Sequence, residues 1–321
     1  MQSDKLTIFA LSASQDLAKN IAGRLKTNIG ECILHHFSDG EILAEPGESV
    51  RGKKVYIIQS TSAPVSENLM ELLIITDALK RASAKEITAV VPYFGYARQD
   101  RKAKPRQPIT AKLVADLLQT AGVHRVVTID LHATQIQGFF NVPIDGMTGI
   151  PLIARYFIDK NLDDICVVSP DHGGATRARN LANYLDSNMA IIDKRRPKPN
   201  VAEVMGIIGD VKGKNCIMID DIIDTGGTII AGAEALKKAG AKNIYIACTH
   251  AVFSGDAVKN LNNSVAKEVV VTDTIHLPEE KKFEKLRIVT VAELLTRTIR
   301  NIEDAKPVSE VFSDLRSGKI Y

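Results

Sequence analysis

No run of about 18 apolar residues, the length a membrane helix needs, occurs in the 321-residue sequence. The longest N-terminal apolar stretch, Leu6 to Leu11, is short and contains Thr7, so it reads as neither a secretory leader nor a membrane span. The expected location is cytoplasmic. Charge of one sign is not in excess either: 41 Lys and Arg face 38 Asp and Glu. That balance argues against a dedicated nucleic-acid binder, and any basic function must be local. Cysteine is scarce. Cys32, Cys166, Cys216 and Cys248 are scattered without a CxxC pair, and three sit in apolar runs, so they read as small buried hydrophobes. No GxGxxG exists, because no two glycines lie two apart. The nearest Walker-like segment, Gly47 to Lys54, has Lys where Ser or Thr should hold Mg²⁺ and precedes a strand, so it reads as a charged turn.

What is present is an ordinary globular composition, 45% hydrophobic and 25% charged. It excludes global disorder, and the length suits about two domains, each able to bury a core. Short apolar runs at Val55–Gln59, Ile87–Val91, Val126–Ile129, Ile165–Ser169, Cys216–Ile219, Ile244–Ala247 and Val269–Val271 predict strands. They are apolar throughout rather than alternating, as when both sheet faces are covered. Between them, Glu67–Arg81, Thr110–Ala121, Ala175–Leu185 and Thr228–Ala239 have helical apolar spacing. Strand–helix–strand repetition predicts parallel α/β sheets.

The chain also repeats. Gly52-Lys53-Lys54-Val55-Tyr56-Ile57-Ile58 resembles Gly213-Lys214-Asn215-Cys216-Ile217-Met218-Ile219, and Ala78 to Lys85 resembles Ala235 to Lys242, at offsets of 161 and 157 residues. Two copies of one α/β domain are expected, 1–149 and 150–321, the first with four extra residues after the shared strand. The copies differ where ligands bind in such sheets. The second continues Asp220-Asp221-Ile222-Ile223-Asp224-Thr225-Gly226-Gly227-Thr228, whereas the first has Ser60 to Glu67 without a glycine. A strand, acids, a Thr-Gly-Gly-Thr turn and a helix make a phosphate cradle. The glycines admit backbone N–H groups close to the anion, the threonines add hydroxyls, and the helix N-terminus adds partial positive charge. Asp220 and Asp221 would crowd an anion unless they face sugar hydroxyls or hydrated Mg²⁺. A hydroxylic phosphate ester such as ribose 5-phosphate fits both halves. Asp224 as a helix cap would explain one acid, not the others.

Other segments leave alternatives open. Tyr96 to Arg106 carries Arg98, Arg101, Lys102, Lys104 and Arg106 after a strand. It could be a solvated loop, an RNA-contacting loop stacking bases on Tyr93, Phe94 and Tyr96, or a polyphosphate site. His132 and Asp171 both follow predicted strands. Lys194-Arg195-Arg196-Pro197-Lys198-Pro199 follows the strand Met189–Ile192, and its two prolines and four cations predict a mobile loop.

The segment from Met218 to Thr228 resembles the ribose-phosphate loop of the type I phosphoribosyltransferase fold. With Phe37-Ser38-Asp39-Gly40-Glu41, Pro92 to Lys102, Asp130-Leu131-His132-Ala133 and Asp193 to Pro197 in that order, the chain resembles the ribose-phosphate pyrophosphokinase family from about residue 5 to 300. The resemblance implies two tandem phosphoribosyltransferase-like domains with parallel sheets and a reaction of ATP with ribose 5-phosphate. ATP would meet Phe37, Asp39, Gly40, Glu41, Arg98, Gln99 and Asp100. Ribose 5-phosphate would meet Arg196, Asp220, Asp221, Asp224, Thr225, Gly226, Gly227 and Thr228. His132 and Asp171 would hold Mg²⁺, and Lys194 and Arg196 would be catalytic, on a lid. A homo-oligomer, usually a hexamer, with phosphate and ADP effectors is implied too, and neither nucleic acid nor membrane is an expected partner. The pattern departs at His172, where a small or apolar residue is common, and at Glu45–Val50, where Asn is usual. The tail Asp314–Tyr321 matches nothing. A simple phosphoribosyltransferase would not need the Arg98–Asp100 and Asp39–Glu41 segments. A non-catalytic relative would lack residues such as Lys194, and an RNA-binding regulator would need more positive charge.

Overall fold

A computed structural model describes residues 6–198 and 201–312. They fall into two compact units. The first comprises β1 (Leu6–Ala10), α1 (Gln15–Leu25), β2 (Cys32–His36), β3 (Ile42–Pro46), β4 (Lys54–Ile58), α2 (Val65–Arg81), β5 (Glu86–Val91), α3 (Thr110–Ala121), β6 (Arg125–Ile129) and β7 (Ile144–Met147). Its main sheet is parallel, in the order β1-β4-β5-β6-β7, and β2 and β3 form a separate antiparallel hairpin.

The second unit comprises α4 (Ile150–Asp159), β8 (Ile165–Ser169), α5 (Ala175–Tyr184), β9 (Asn188–Lys198), β10 (Val201–Ile208), β11 (Asn215–Ile223), α6 (Gly227–Lys238), β12 (Asn243–Ala251), α7 (Ala257–Asn263), β13 (Glu268–Thr272) and β14 (Leu286–Val289). Its sheet runs β10-β9-β8-β11-β12-β13-β14, parallel except for β10 on the edge. Central strands are buried on both faces. All five residues of β13 are buried, as are the last four of β4, β6 and β8. That is the physical source of the uniformly apolar runs. Cys166, Cys216 and Cys248 lie in these cores as free thiols, and burial pushes Cys216 up to about 12. Among the described residues no helix is long and apolar enough to cross a membrane.

The repeat is visible in individual backbone hydrogen bonds. Lys85 N–H donates to Lys53 C=O at 2.8 Å, and Lys242 N–H to Lys214 C=O at 2.8 Å. Gly52 N–H donates to Ser83 C=O at 2.9 Å, and Gly213 N–H to Gly240 C=O at 2.8 Å. Ser83 and Gly240 share a left-handed backbone, φ 63° and 88°. The four extra residues of the first copy form helix. At the 157-residue offset Gly227, where α6 begins, falls opposite Met70, so Val65–Leu69 is a helical turn that α6 lacks. That turn stands where the second copy has its glycine loop.

Two expectations are corrected. The second domain does not take the whole C-terminal half. Thr274–His276 and Val291–Val311, including α8 (Ala292–Glu303), belong to the first unit. There Glu293 pairs with Arg24 at 2.8 Å, and Glu303 accepts the Tyr56 hydroxyl at 2.7 Å. Nor is the Lys194 segment a loop: through Lys198 its backbone is strand β9, paired antiparallel with β10. A strand needs only backbone partners, and Pro197, which has no N–H, falls in a register irregularity between the pairs Lys198–Val201 and Arg195–Glu203. Pro199 lies outside the described residues, as does the tail from Asp314.

Candidate functional site

In the second unit the chemistry gathers at strand ends. β11 continues past Ile219, the point at which its counterpart β4 has already ended, and the added residues are Asp220 to Ile223. Successive strand residues point to opposite faces, and here the two carboxylates differ in exposure, 26% for Asp220 and 6% for Asp221. Arg177, from α5, reaches both, at 3.3 Å and 3.4 Å, and the Asp221 N–H donates to Asp220 Oδ1 at 2.9 Å. Burial, then the neighbouring Asp221 charge, push the Asp220 carboxyl well above the usual range, and Arg177 offsets this only in part. Arg177 leaves no mark in the sequence, because its partners are 43 and 44 positions away.

The turn after β11 spans Asp224 to Gly226. Asp224 C=O accepts the Ser254 N–H at 3.1 Å. Gly226, not Asp224, is the N-cap of α6, with φ 78°, a backbone that L side chains rarely adopt. Gly227 is different. Its φ is ordinary, and a Cβ there would meet nothing within 4 Å. Nothing in the protein itself demands that glycine. The first N–H groups of α6 have no acceptor within the helix, Thr225 is exposed and Thr228 half-buried. The result is an open, donor-rich rim beside two acids.

Asp171 follows β8. Its Oδ1 accepts the Gly174 N–H at 3.0 Å, and its C=O accepts the Ser169 hydroxyl at 2.6 Å. The departing residue His172 is exposed and places Nε2 3.1 Å from Asp193 Oδ1, on β9. Lys194 and Arg196 continue β9, with Lys194 registered against Val204.

In the first unit, Phe37, Asp39, Gly40 and Glu41 make the turn of the β2–β3 hairpin. Phe37 N–H donates to Glu41 C=O at 2.8 Å, Gly40 N–H to Phe37 C=O at 2.9 Å, and Glu41 N–H to Asp39 Oδ1 at 3.0 Å. Phe37 is 44% exposed. Arg98, Gln99 and Asp100 follow β5. Gln99 is tied to the start of α3 by its C=O, which accepts the Ala111 N–H at 3.2 Å, and by Oε1, which accepts the Thr110 hydroxyl. Asp100 accepts the Gln135 amide at 2.7 Å. His132 is exposed, three residues beyond β6. Every expected site residue of this unit lies on the hairpin turn or after the carboxyl end of a parallel strand.

The architecture is that of a doubled phosphoribosyltransferase-like α/β protein, with a glycine loop in one copy, none in the other and a separate turn-bearing hairpin. The chain belongs to the ribose-phosphate pyrophosphokinase family. The profile of the N-terminal domain of ribose phosphate pyrophosphokinase matches residues 6–122, and that of the phosphoribosyl synthetase-associated domain matches 173–313. The chain is 58% identical over 308 residues to the ribose-phosphate pyrophosphokinase of Bacillus subtilis (strain 168), covering 96% of this chain and 97% of that one. Against the Enterococcus faecalis ribose-phosphate pyrophosphokinase 2 it is 56% identical, with 96% of each chain covered. The crystal structure of phosphoribosylpyrophosphate synthetase from Mycobacterium smegmatis superposes with a TM-score of 0.89 at 44% identity, covering 94% of this chain and 99% of that one.

The acid pair carries a pH signature. Folding raises the proton affinity of Asp220, so its ionisation subtracts stability as pH rises from the ordinary aspartate value, about 3.9, through the raised folded value. Asp220→Asn removes that loss and leaves Arg177 paired with Asp221. Thermal melts should show the variant more stable than the parent near neutral and alkaline pH, with the difference closing toward about pH 4. A variant less stable than the parent at alkaline pH would contradict this account.

Proposed function

We propose that this enzyme transfers the diphosphoryl group of ATP to the C1 hydroxyl of ribose 5-phosphate, giving 5-phosphoribosyl 1-diphosphate and AMP for nucleotide biosynthesis. The observation that carries the sugar-phosphate half is the contrast within the Asp220–Thr228 segment. Gly226 is required by its backbone, whereas Gly227 stands open beside two carboxylates that share one arginine. The loop of Asp224, Thr225, Gly226, Gly227 and Thr228 anchors the 5-phosphate through N–H and hydroxyl donors. Asp220 and Asp221 accept from the ribose hydroxyls, which relieves the crowding of like charge. In the first unit, Phe37 offers an aromatic face to the base, with Asp39, Gly40 and Glu41 beside it, and Arg98, Gln99 and Asp100 complete the ATP contacts.

In the reaction the C1 oxygen bonds to the β-phosphorus as the bond from that phosphorus to the bridging oxygen breaks. AMP leaves with that oxygen, and the C1 proton passes to solvent. Such transfers depend on positioning and charge neutralisation more than on covalent help. Lys194 and Arg196 stabilise the charge developing on the bridging and β-phosphoryl oxygens, and Arg196 also meets the sugar phosphate. His132 and Asp171 are the residues that would hold Mg²⁺, which would supply charge neutralisation at the ATP phosphates. Asp171 gives one carboxylate oxygen to the Gly174 N–H and is an oxygen donor of the kind Mg²⁺ takes. Apolar side chains left exposed at Ile33, Leu43, Leu113 and Leu117 support subunit contacts; a homohexamer with phosphate and ADP as effectors is what the family resemblance implies. The free thiols support a cytoplasmic enzyme.

The reaction is tested by incubating protein, Mg²⁺, ATP and ribose 5-phosphate and following AMP release. Gly227→Val should raise KM for ribose 5-phosphate by roughly 10² with ATP binding unchanged, since a Cβ there meets no protein atom within 4 Å and the side chain would stand where the phosphate must approach. Normal ribose 5-phosphate kinetics would sink the loop assignment. Arg98→Ala should do the reverse: calorimetry should show weakened ATP and intact ribose 5-phosphate binding. Lys194→Ala should lower kcat and kcat/KM together by ~10²–10³ while both substrates still bind. Near-parental turnover would remove Lys194 from the mechanism.

A further inference from the structure

Among the described residues the β2–β3 hairpin joins no other strand. A two-stranded ribbon alone is marginal in water, yet its turn carries Phe37, Asp39, Gly40 and Glu41. That turn is closed by its own hydrogen bonds, so it moves with the hairpin. Its placement is set by what the hairpin touches. Alternate residues Cys32, Leu34 and His36 share a face, and Cys32 and Leu34 pack on the core of the first unit. His36, immediately before the turn, places Nε2 3.2 Å from Glu67 Oε1 and 3.4 Å from Glu71 Oε1. Both acids lie on α2, one turn apart. Glu67 comes from the helical turn that the second copy lacks.

Glu71 is the buried end of this arrangement, 1% exposed. Its Oε1 accepts the Ser12 hydroxyl at 2.6 Å, and its Oε2 accepts the Ser12 N–H at 3.2 Å and the Gln59 amide at 3.0 Å. Gln59 in turn accepts the Ala13 N–H at 3.1 Å and donates to Asn68. A satisfied buried network of this kind is rigid. It ties the segments after β1 and β4 to α2, and its outermost member is His36. Both Glu71 oxygens already accept protein donors, and His36 adds a contact from the hairpin to the same carboxylate.

We propose that His36 is a positioning residue for the nucleotide: by bridging Glu67 and Glu71 it pins the hairpin to α2 and fixes where the Phe37–Glu41 turn stands. The proposal rests on the assignment of ATP to that turn. The test compares His36→Ala with His36→Gln, whose amide nitrogen reaches about as far as Nε2. His36 is 42% exposed, so both variants keep the fold. His36→Ala should raise KM for ATP by roughly fivefold, the upper worth of a partly exposed ion pair, with kcat and KM for ribose 5-phosphate unmoved. Backbone amide exchange across 33–45 should accelerate in parallel, and His36→Gln should restore both readouts. Unchanged exchange in His36→Ala would overturn the clamp, and so would a loss confined to kcat. Faster exchange with unaltered ATP kinetics would overturn the positioning role. Asp39→Ala, run alongside, tells where that failure lies: if it weakens ATP, the clamp alone is wrong, and if it is silent, the ATP assignment falls with it.

Discussion

A parallel sheet covered on both faces leaves its strand ends as the only backbone able to meet a ligand. β13 has all five residues buried, and the last four residues of β4, β6 and β8 are buried too. Chemistry therefore collects just past the carboxyl ends: Arg98 after β5, His132 after β6, Asp171 after β8 and Asp220 in the prolonged end of β11. The hairpin turn is the exception, and its separate sheet is why it needs an anchor of its own. Few kinds of residue can stand at such ends. A backbone that must leave the sheet sharply and then start a helix favours glycine, and Gly226 at φ 78° meets that demand.

The two copies resolve the same position in opposite ways. In the first, an extra helical turn takes the place of the glycine loop, and the polar groups nearby, buried Gln59, Asn68 and Glu71 with exposed Ser12, hydrogen-bond one another. In the second, the helix starts later, at Gly227, and two carboxylates share Arg177. The first arrangement favours stability, and the second keeps unfavourable electrostatics that a bound ligand can relieve. Duplication lets one chain hold both, with the rigid copy free to supply clamps and the strained copy free to bind.

Much of this was readable from residues alone, for a physical reason in each case. Doubly buried strands produce uninterrupted apolar runs, so Ile165–Ser169 appears in the structure with the same bounds. The Gly52 and Gly213 segments showed the repeat because the same turn geometry needs the same residue types. Other features were silent. The hairpin strands β2 and β3 are largely exposed and carry no clean apolar alternation. The pairing of β9 with β10 was masked by prolines and cations that suggest a loop, although the irregular ladder accommodates Pro197. The return of α8 to the first unit follows from pairs such as Arg24–Glu293, which chain order does not announce. Arg177 and the His36–Glu67–Glu71 group are assembled by folding from distant positions, and each residue alone looks like ordinary surface charge.

The acid pair also bears on selectivity. A loop of N–H and hydroxyl donors at a helix start accepts any small anion, and paired carboxylates attract any polyol or cation. Each half alone would discriminate poorly. Set on one continuous segment, they oppose each other: an anion that fills the loop without offering hydroxyl donors to Asp220 and Asp221 leaves two crowded carboxylates unrelieved beside its own charge. A neutral sugar satisfies the acids but leaves the helix donors empty. Only a molecule with negative charge at one end and hydroxyl donors at the other satisfies both, and rejection of the rest comes from buried polar groups left unpaired. Under the proposed function, the proximity of Asp220 to Asp221 contributes to that discrimination, with Arg177 shared between the two carboxylates.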